Sequence, residues 1–136
     1  MSVSELIYGK PAAFEVSDAV TANRFVQLDT TNSSGKVVVK PATGVSDIFM
    51  GVALEAATAS GQRIAVARPG CICYLNCSGN STAVTSGCGL TATTGGVGIK
   101  TTTASDNIGA IAIEASSAAT TDILVEVVGP YMNPDS

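Results

Sequence analysis

The sequence contains no histidine, the side chain most often used as a general base and as a metal ligand. No Ser-His-Asp or Cys-His arrangement is therefore available. The glycine-rich stretch around residues 87–98 does not open a helix after a strand, so it is not a nucleotide-binding loop. Glu55 and Glu114 are better explained as solvated or locally hydrogen-bonded strand ends than as an acid–base pair. We expect no enzyme, with no catalytic, cofactor-binding or metal-binding residues.

Charge is scarce as well, at 13% of the residues, about half the usual fraction. The seven Lys and Arg residues are spread singly and the net charge is −4, so direct nucleic-acid binding is not expected. No apolar run has the length that spans a bilayer, so a membrane is not expected as a partner. The first ten residues have neither the basic nor the apolar region of a signal peptide. This predicts synthesis in a cytoplasm.

So few charges would protect a lone monomer poorly against association. Two explanations fit this composition. The surface is neutral and rich in Thr, Ser and Asn, or much of it is buried against other chains. The second explanation is favoured, and it predicts a protein that works in contact with others.

Aromatic residues are few: there is no Trp, and Phe and Tyr together make up 4% of the chain. Hydrophobic residues nevertheless reach 46%, mostly as Ala, Val and Ile, which suit closely packed sheets. The 136 residues correspond to one domain. No segment has a sustained helical period, and residues 53–59 allow one or two helical turns at most. The predicted fold class is all-β, a compact β-sandwich or β-barrel-like domain with short or no helices.

Several segments combine apolar alternation with flanking turn residues and are predicted to be strands. They are residues 13–16, 25–28, 36–40, 51–55, 63–67, 72–75 and 97–101. A hairpin is predicted over residues 108–128. Residues 76–96, made mostly of Ser, Thr, Gly, Asn and Ala, are interpreted as a low-complexity connection.

The hairpin over residues 51–70 recurs at residues 110–129, with a shift of 59 and no gap. Seven of the twenty positions are identical, among them Glu55 with Glu114 and Ile64 with Ile123. Each half offers a strand, a loop and a hairpin, and two such units can bury a face that neither buries alone. The predicted organisation is an N-terminal arm (1–10), one β domain (11–129) with halves near 24–70 and 83–129, and a tail (130–136).

The four cysteines, Cys71, Cys73, Cys77 and Cys88, are spaced unlike a common zinc site. Cys71 and Cys73 share one face of a strand and are poorly placed to bond each other. A disulfide would therefore reach Cys77 or Cys88. Three alternatives remain open: free buried thiols, favoured in a reducing cytoplasm, one disulfide formed after release, and, third, zinc.

Leu6, Ile7 and Tyr8 form an apolar cluster in the arm, which Pro11 separates from the first strand. A terminal arm of this length is usually disordered unless something holds it. It is either a frayed end or a segment that becomes ordered on a partner, for example by adding a strand to a sheet edge.

Residues 36–44 (KVVVKPATG) and 48–70 (IFMGVALEAATASGQRIAVARPG) resemble the capsid cement, or head-decoration, proteins of tailed bacteriophages. The shared pattern is Gly-Val-Ala, a linker of small residues, G-x-x-I-x-V and a closing Gly. The resemblance covers residues 11–70 well and the second half loosely. The cysteine-bearing segment 71–88 lies outside it.

This resemblance implies a β-rich homotrimer on the outer surface of an icosahedral head, which stabilises the head by bridging subunits of the major capsid protein. It implies the virion capsid surface as the location. The arm supplies the candidate capsid contacts Leu6, Ile7 and Tyr8. The hairpin supplies the candidate trimer contacts Val52, Leu54, Ile64 and Val66. The alternative function is a virion-surface or secreted β-sandwich module that binds carbohydrate or a host surface, although few aromatics are present to stack on sugars.

Overall fold

A computed structural model describes residues 6–31, 35–80, 82–103 and 106–132, with side chains up to residue 129. Its strands are β1 (Leu6–Tyr8), β2 (Ala12–Val16), β3 (Phe25–Leu28), β4 (Val38–Pro41), β5 (Phe49–Ala53), β6 (Arg63–Ala67), β7 (Ile72–Cys77), β8 (Gly89–Ala92), β9 (Gly98–Lys100), β10 (Asn107–Ala112) and β11 (Thr121–Met132). Within these residues the helical content is one short 3-10 helix, Thr94–Gly96. The predicted all-β class is confirmed.

The first five of these strands after β1 close into a barrel in the order β2-β4-β3-β5-β6. The closure includes one parallel pair, in which Val16 of β2 lies opposite Val39 of β4. The barrel interior is filled by small and branched side chains, among them Val26, Ile64 and Val66. A narrow five-stranded barrel has room for small and branched side chains in its interior, and a sequence with few aromatic residues supplies them.

The remaining strands form a second sheet in the order β1-β7-β11-β10-β8-β9, which closes where Cys77 of β7 pairs with Gly98 of β9. The sequence of β7 indicates which face of the sheet is the interior, because buried Cys73, Leu75 and Cys77 alternate with half-buried residues. That is the period of two expected of a strand with one face in a core. β1 lies outside the closed ring of strands, at the edge of the sheet.

The two barrels have the same strand order, with β7, β9, β8, β10 and β11 in the places of β2, β4, β3, β5 and β6. In both barrels the first and third strands of the unit are the parallel pair. An isolated bridge joins Val20 to Ala57 in the first barrel, and its counterpart joins Val84 to Ser116 in the second. The repeat in the sequence is thus a repeat of five-stranded barrels. Each barrel also includes the strand that precedes the repeated sequence, β2 or β7.

The barrels share a buried cluster that runs from the outside of the first barrel into the interior of the second. Phe25 and Phe49 stack in it, with ring centroids 4.9 Å apart. They lie against Gly109 of β10, where a Cβ atom would come within 2.7 Å of the Phe25 ring. A polar link adds to this contact, because the Asp122 carboxylate accepts hydrogen bonds from the side-chain amides of Asn23 and Asn76, both 3.0 Å long.

Some of the predicted boundaries differ from the structure. β8 lies inside the segment interpreted as a low-complexity connection, and β1 lies in the predicted arm. β11 continues to Met132, into the predicted tail. Residues 1–5 of the arm and residues 133–136 of the tail lie outside the described residues.

Candidate contact surfaces

The four candidate trimer contacts are core residues. Val52, Leu54, Ile64 and Val66 are all buried, with at most 2% of each residue exposed. Ile64 and Val66 point into the first barrel, and Val52 and Leu54 belong to the cluster between the barrels. The prediction that these side chains contact a second copy is wrong, because this chain already buries them.

The three candidate capsid contacts form β1, which pairs antiparallel with β7 through Leu6 opposite Cys73 and Tyr8 opposite Ile72. The side chain of Leu6 packs against the shared core. Ile7 and Tyr8 remain 46% and 67% exposed. The described part of the arm is therefore held on its own chain, and it presents two large apolar side chains to solvent on an edge strand.

A larger apolar surface lies on the outside of the second barrel. We call it the outer face: Ile72, Tyr74, Ile111, Ile113, Leu124 and Glu126. In one row Ile72 is opposite Glu126, which is opposite Ile111, and in the next row Tyr74 is opposite Leu124. Ile113 donates its backbone N–H to the carbonyl of Leu124 and is 39% exposed. Directly opposed residues share a face of a sheet. These six residues thus form one patch, in which Glu126 is the one charged member.

Glu55 and Glu114, which occupy equivalent positions in the repeat, make equivalent hydrogen bonds. The Glu55 carboxylate accepts the backbone N–H of Ala65, and the Glu114 carboxylate accepts that of Leu124, each at 2.7 Å. Glu55 is buried and Glu114 is exposed. Each carboxylate accepts a backbone N–H that would otherwise lack a partner in the hairpin. Both glutamates are therefore locally hydrogen-bonded residues at a strand end, as expected from the sequence.

This pair offers a matched test of what burial adds to a hydrogen bond. Glu55→Ala is expected to lower the free energy of unfolding by about 1–3 kcal/mol, because the N–H of half-buried Ala65 would lose its acceptor. Glu114→Ala is expected to cost less than about 1 kcal/mol, since water can replace an exposed carboxylate. Urea unfolding of the two variants measures the difference. Equal losses would contradict this account.

All four thiols are free in the structure. Cys71, Cys73 and Cys77 are buried, and Cys88 is partly exposed. Burial, with smaller contributions from neighbouring thiols, raises the pKa of Cys73 and of Cys77 to about 12. These two cysteines are core residues that remain protonated at neutral pH, which makes them unreactive.

Two ion pairs between described residues lie on the first barrel. Lys36 is 3.8 Å from Glu15, and Lys40 is 3.8 Å from Asp29. Hydrogen bonds from the hydroxyls of Ser17 and Thr31, the Thr31 backbone and the Lys40 charge lower the pKa of Asp29 to about 2. This carboxylate therefore stays ionised at any physiological pH, and its contribution to stability is lost only as the pH falls toward that value.

Two further features bear on chemistry. A pocket of about 310 Å³ is lined by Ser78, Thr82, Thr93, Ile99, Lys100 and Thr102. None of these described lining residues is an aromatic on which a sugar ring could stack. Among the described residues no group of three or more Cys, Asp or Glu side chains is arranged to hold a metal ion. None of the described helical segments has the length and apolar character needed to cross a bilayer.

The sequence interpretation missed the outer face. A signal for it was present, because the alternation over residues 72–77 puts Ile72 and Tyr74 on the side opposite the cysteines. Recognising that side as an open surface also required the register of β7, β11 and β10, which the sequence does not contain.

No protein-family model matches the chain, and no curated protein is similar to it in sequence. A solved structure is similar to it in fold: the N base of the head fiber protein gp8.5 of bacteriophage phi29. The TM-score is 0.63 at 13% sequence identity, over 87% of this chain and 92% of the phage structure. At this identity the likeness concerns the fold. Nearly the whole chain therefore has the fold of a phage head fiber base, which agrees with the resemblance to phage head proteins.

Proposed function

We propose that this protein is a structural component of a bacteriophage virion. It is a homotrimeric decoration, or cement, protein that binds the outer surface of the icosahedral head and stabilises it by bridging subunits of the major capsid protein. The observation that carries the proposal is the shared fold with a phage head fiber base over most of both chains. The resemblance of residues 36–70 to cement proteins points the same way.

The edge strand β1 supplies a means of binding. Its backbone pairs with β7 on one side, and it is the terminal strand of the sheet. A capsid strand added along its other side would form main-chain hydrogen bonds, while Ile7 and Tyr8 provide apolar contact. Each such contact is small. Three of them held in one trimer bind through avidity, so each can be weak.

Stabilisation of the head then follows from mass action. A protein that binds only the assembled, expanded shell lowers the free energy of that state and of no other. The small number of charges fits this role, because a surface used against neighbouring subunits has little need of charged side chains for solubility.

The experiment is a binding assay with expanded heads of the phage whose genome encodes the chain. The wild-type protein is expected to sediment with the heads, to saturate them and to raise the temperature at which they release DNA. The double variant Ile7→Asp, Tyr8→Asp is expected to bind at least about tenfold more weakly, because it places two charges in an apolar contact. Val37→Asp, at an exposed apolar residue outside β1, is the control and should bind normally.

Wild-type protein that does not bind expanded heads would overturn the proposal. Unchanged binding by the double variant would refute only the role of β1 and not the proposed function. Clear hits on a glycan array without binding to heads would favour the alternative, a carbohydrate-binding or host-binding module.

A further inference from the structure

The internal repeat shows which surface of each barrel is covered and which is open. Four residues of the outer face, Ile111, Ile113, Leu124 and Glu126, are the counterparts of Val52, Leu54, Ala65 and Ala67 at the shift of 59. In the first barrel this surface is covered by the second barrel: Val52, Leu54 and Ala67 belong to the shared core, and Ala65 packs against it. In the second barrel Ile113 and Glu126 are exposed, and Ile111 and Leu124 are half-buried.

The element that does the covering is the start of β10, together with β11, both of which contact β5. Asn107, the first residue of β10, donates its backbone N–H to the carbonyl of Val45 at 2.8 Å. Its side-chain amide donates to the carbonyl of Asp47 at 2.9 Å. Two residues further on, Gly109 lies against the Phe25 and Phe49 rings. The contact between the barrels is therefore made by this edge of the second barrel and the outside of the first.

The first barrel has a corresponding edge. The carbonyls of Val45 and Asp47 in this segment accept the hydrogen bonds from Asn107, but apolar side chains beside them are exposed. The counterpart of Asn107 is Ile48, just before β5, and Ile48 is 46% exposed. Val45, three residues before it, is 38% exposed. We call Val45 and Ile48 the β5 edge. Each copy of the chain thus has one partly exposed outer face, on the second barrel, and one covering edge with two exposed apolar side chains, on the first.

We propose that the outer face of the second barrel binds the β5 edge of a second copy of this chain, in a head-to-tail contact that continues the packing seen between the two barrels. The inference rests on the homotrimer of the proposed function and names the surfaces that form it. A head-to-tail contact uses two different patches on each copy, and it forms a closed ring when the rotation between copies returns to the first. Three copies would then leave neither patch exposed.

Side-chain chemistry favours a second copy as the occupant. The outer face is apolar apart from Glu126, and the β5 edge presents two branched apolar side chains. Next to that edge Arg68 donates a hydrogen bond from its guanidinium to the carbonyl of Met50. The charges beside this edge are therefore Arg68 and Asp47, whose carboxylate already accepts the backbone N–H groups of Thr43 and Gly44. A contact between two identical faces would place Glu126 against Glu126, which disfavours that alternative.

The test is sedimentation equilibrium of the purified full chain and its variants at micromolar concentration. The wild type is expected to be a trimer. Ile113→Glu on the outer face and Ile48→Glu on the β5 edge are each expected to weaken association at least about tenfold, because either puts a charge into an apolar contact. Val37→Glu, an exposed valine that belongs to neither patch, should remain trimeric. Circular dichroism verifies that each variant is folded, and Tyr74→Lys replaces Ile113→Glu if that variant unfolds.

Mixing the two disrupted variants tests the head-to-tail geometry itself. Ile113→Glu retains an intact edge and Ile48→Glu retains an intact face, so the mixture is expected to form a two-copy complex that neither variant forms alone. If both variants remain trimeric, the inference about the two surfaces is wrong, but the proposed homotrimer stands. The same conclusion follows if Ile113→Glu loses association and Ile48→Glu does not. A wild-type monomer that still binds heads would overturn the inference and the trimer, but not binding to the head.

Discussion

Gly129→Ala is expected to lower the free energy of unfolding by about 3 kcal/mol. Gly129 lies in β11 opposite the point where its register with β10 shifts, between Ile108 and Ala110. A Cβ at Gly129 would overlap the carbonyl oxygen of Ile108 and come within 2.8 Å of the Gly109 Cα. These are backbone atoms, so no rotamer change relieves the overlap. The strands would have to separate where the second barrel covers the first.

Gly44→Ala is the matched control, because a Cβ there meets nothing within 4 Å. Its effect is expected to lie within about 0.5 kcal/mol. Urea unfolding followed by circular dichroism compares the two variants, and the midpoint of Gly129→Ala should fall well below that of the wild type. If both glycines tolerate alanine equally, the close approach of β10 and β11 at this position is not real.

Phe49→Ala is the second large expected effect, a loss of about 3–5 kcal/mol. Phe49 is fully buried in the cluster that joins the barrels, stacked on Phe25. The substitution would leave a cavity bounded by the Phe25 ring and by Gly109, whose backbone cannot move in to fill it without breaking its strand pairing. The loss should therefore include both the transfer free energy of the ring and the cost of the cavity.

Two further variants show whether the effect belongs to the contact between the barrels. Phe14→Ala removes a half-buried ring that packs within the first barrel and should cost clearly less. A double-mutant cycle of Phe25→Ala and Phe49→Ala should give losses that are not additive, since the rings touch each other. Additive losses, or a loss at Phe14 as large as that at Phe49, would argue against a shared core between the barrels.

Much of the strand content follows from local chemistry. The segments of β3, β6 and β7 contain alternating or clustered branched residues and are flanked by turn residues. The predicted bounds of these strands agree with the observed bounds within a few residues. The hairpin repeat was also visible, because Glu55, Ile64 and Val66 recur with Glu114, Ile123 and Val125. Local chemistry cannot supply the partners of each strand, and the parallel closure between β2 and β4 or β7 and β9 had no signal in the sequence.

The segments that the sequence did not predict are strands because of their neighbours. The sequence of β8, GLTA, has little intrinsic preference for a strand, but β9 and β10 pair with it on its two sides. β1 likewise depends on β7. The resemblance to cement proteins implied Val52 and Leu54 as contacts with another copy, and alternation places both on one face of the hairpin. That face is open on an isolated hairpin and is closed here by the second barrel, so alternation identified the shared face without showing what covers it.

The pairing of β1 with β7 has a consequence for the order in which the protein takes shape during synthesis. The ribosome makes β1 before the first barrel, yet its partner β7 appears only after every strand of that barrel has been made. Such distant pairing is slow, because a long loop must close before any contact is gained. The arm is therefore synthesised before the first barrel and is among the last segments to be placed. A nascent chain keeps Leu6, Ile7 and Tyr8 available to other partners until the second barrel begins to form.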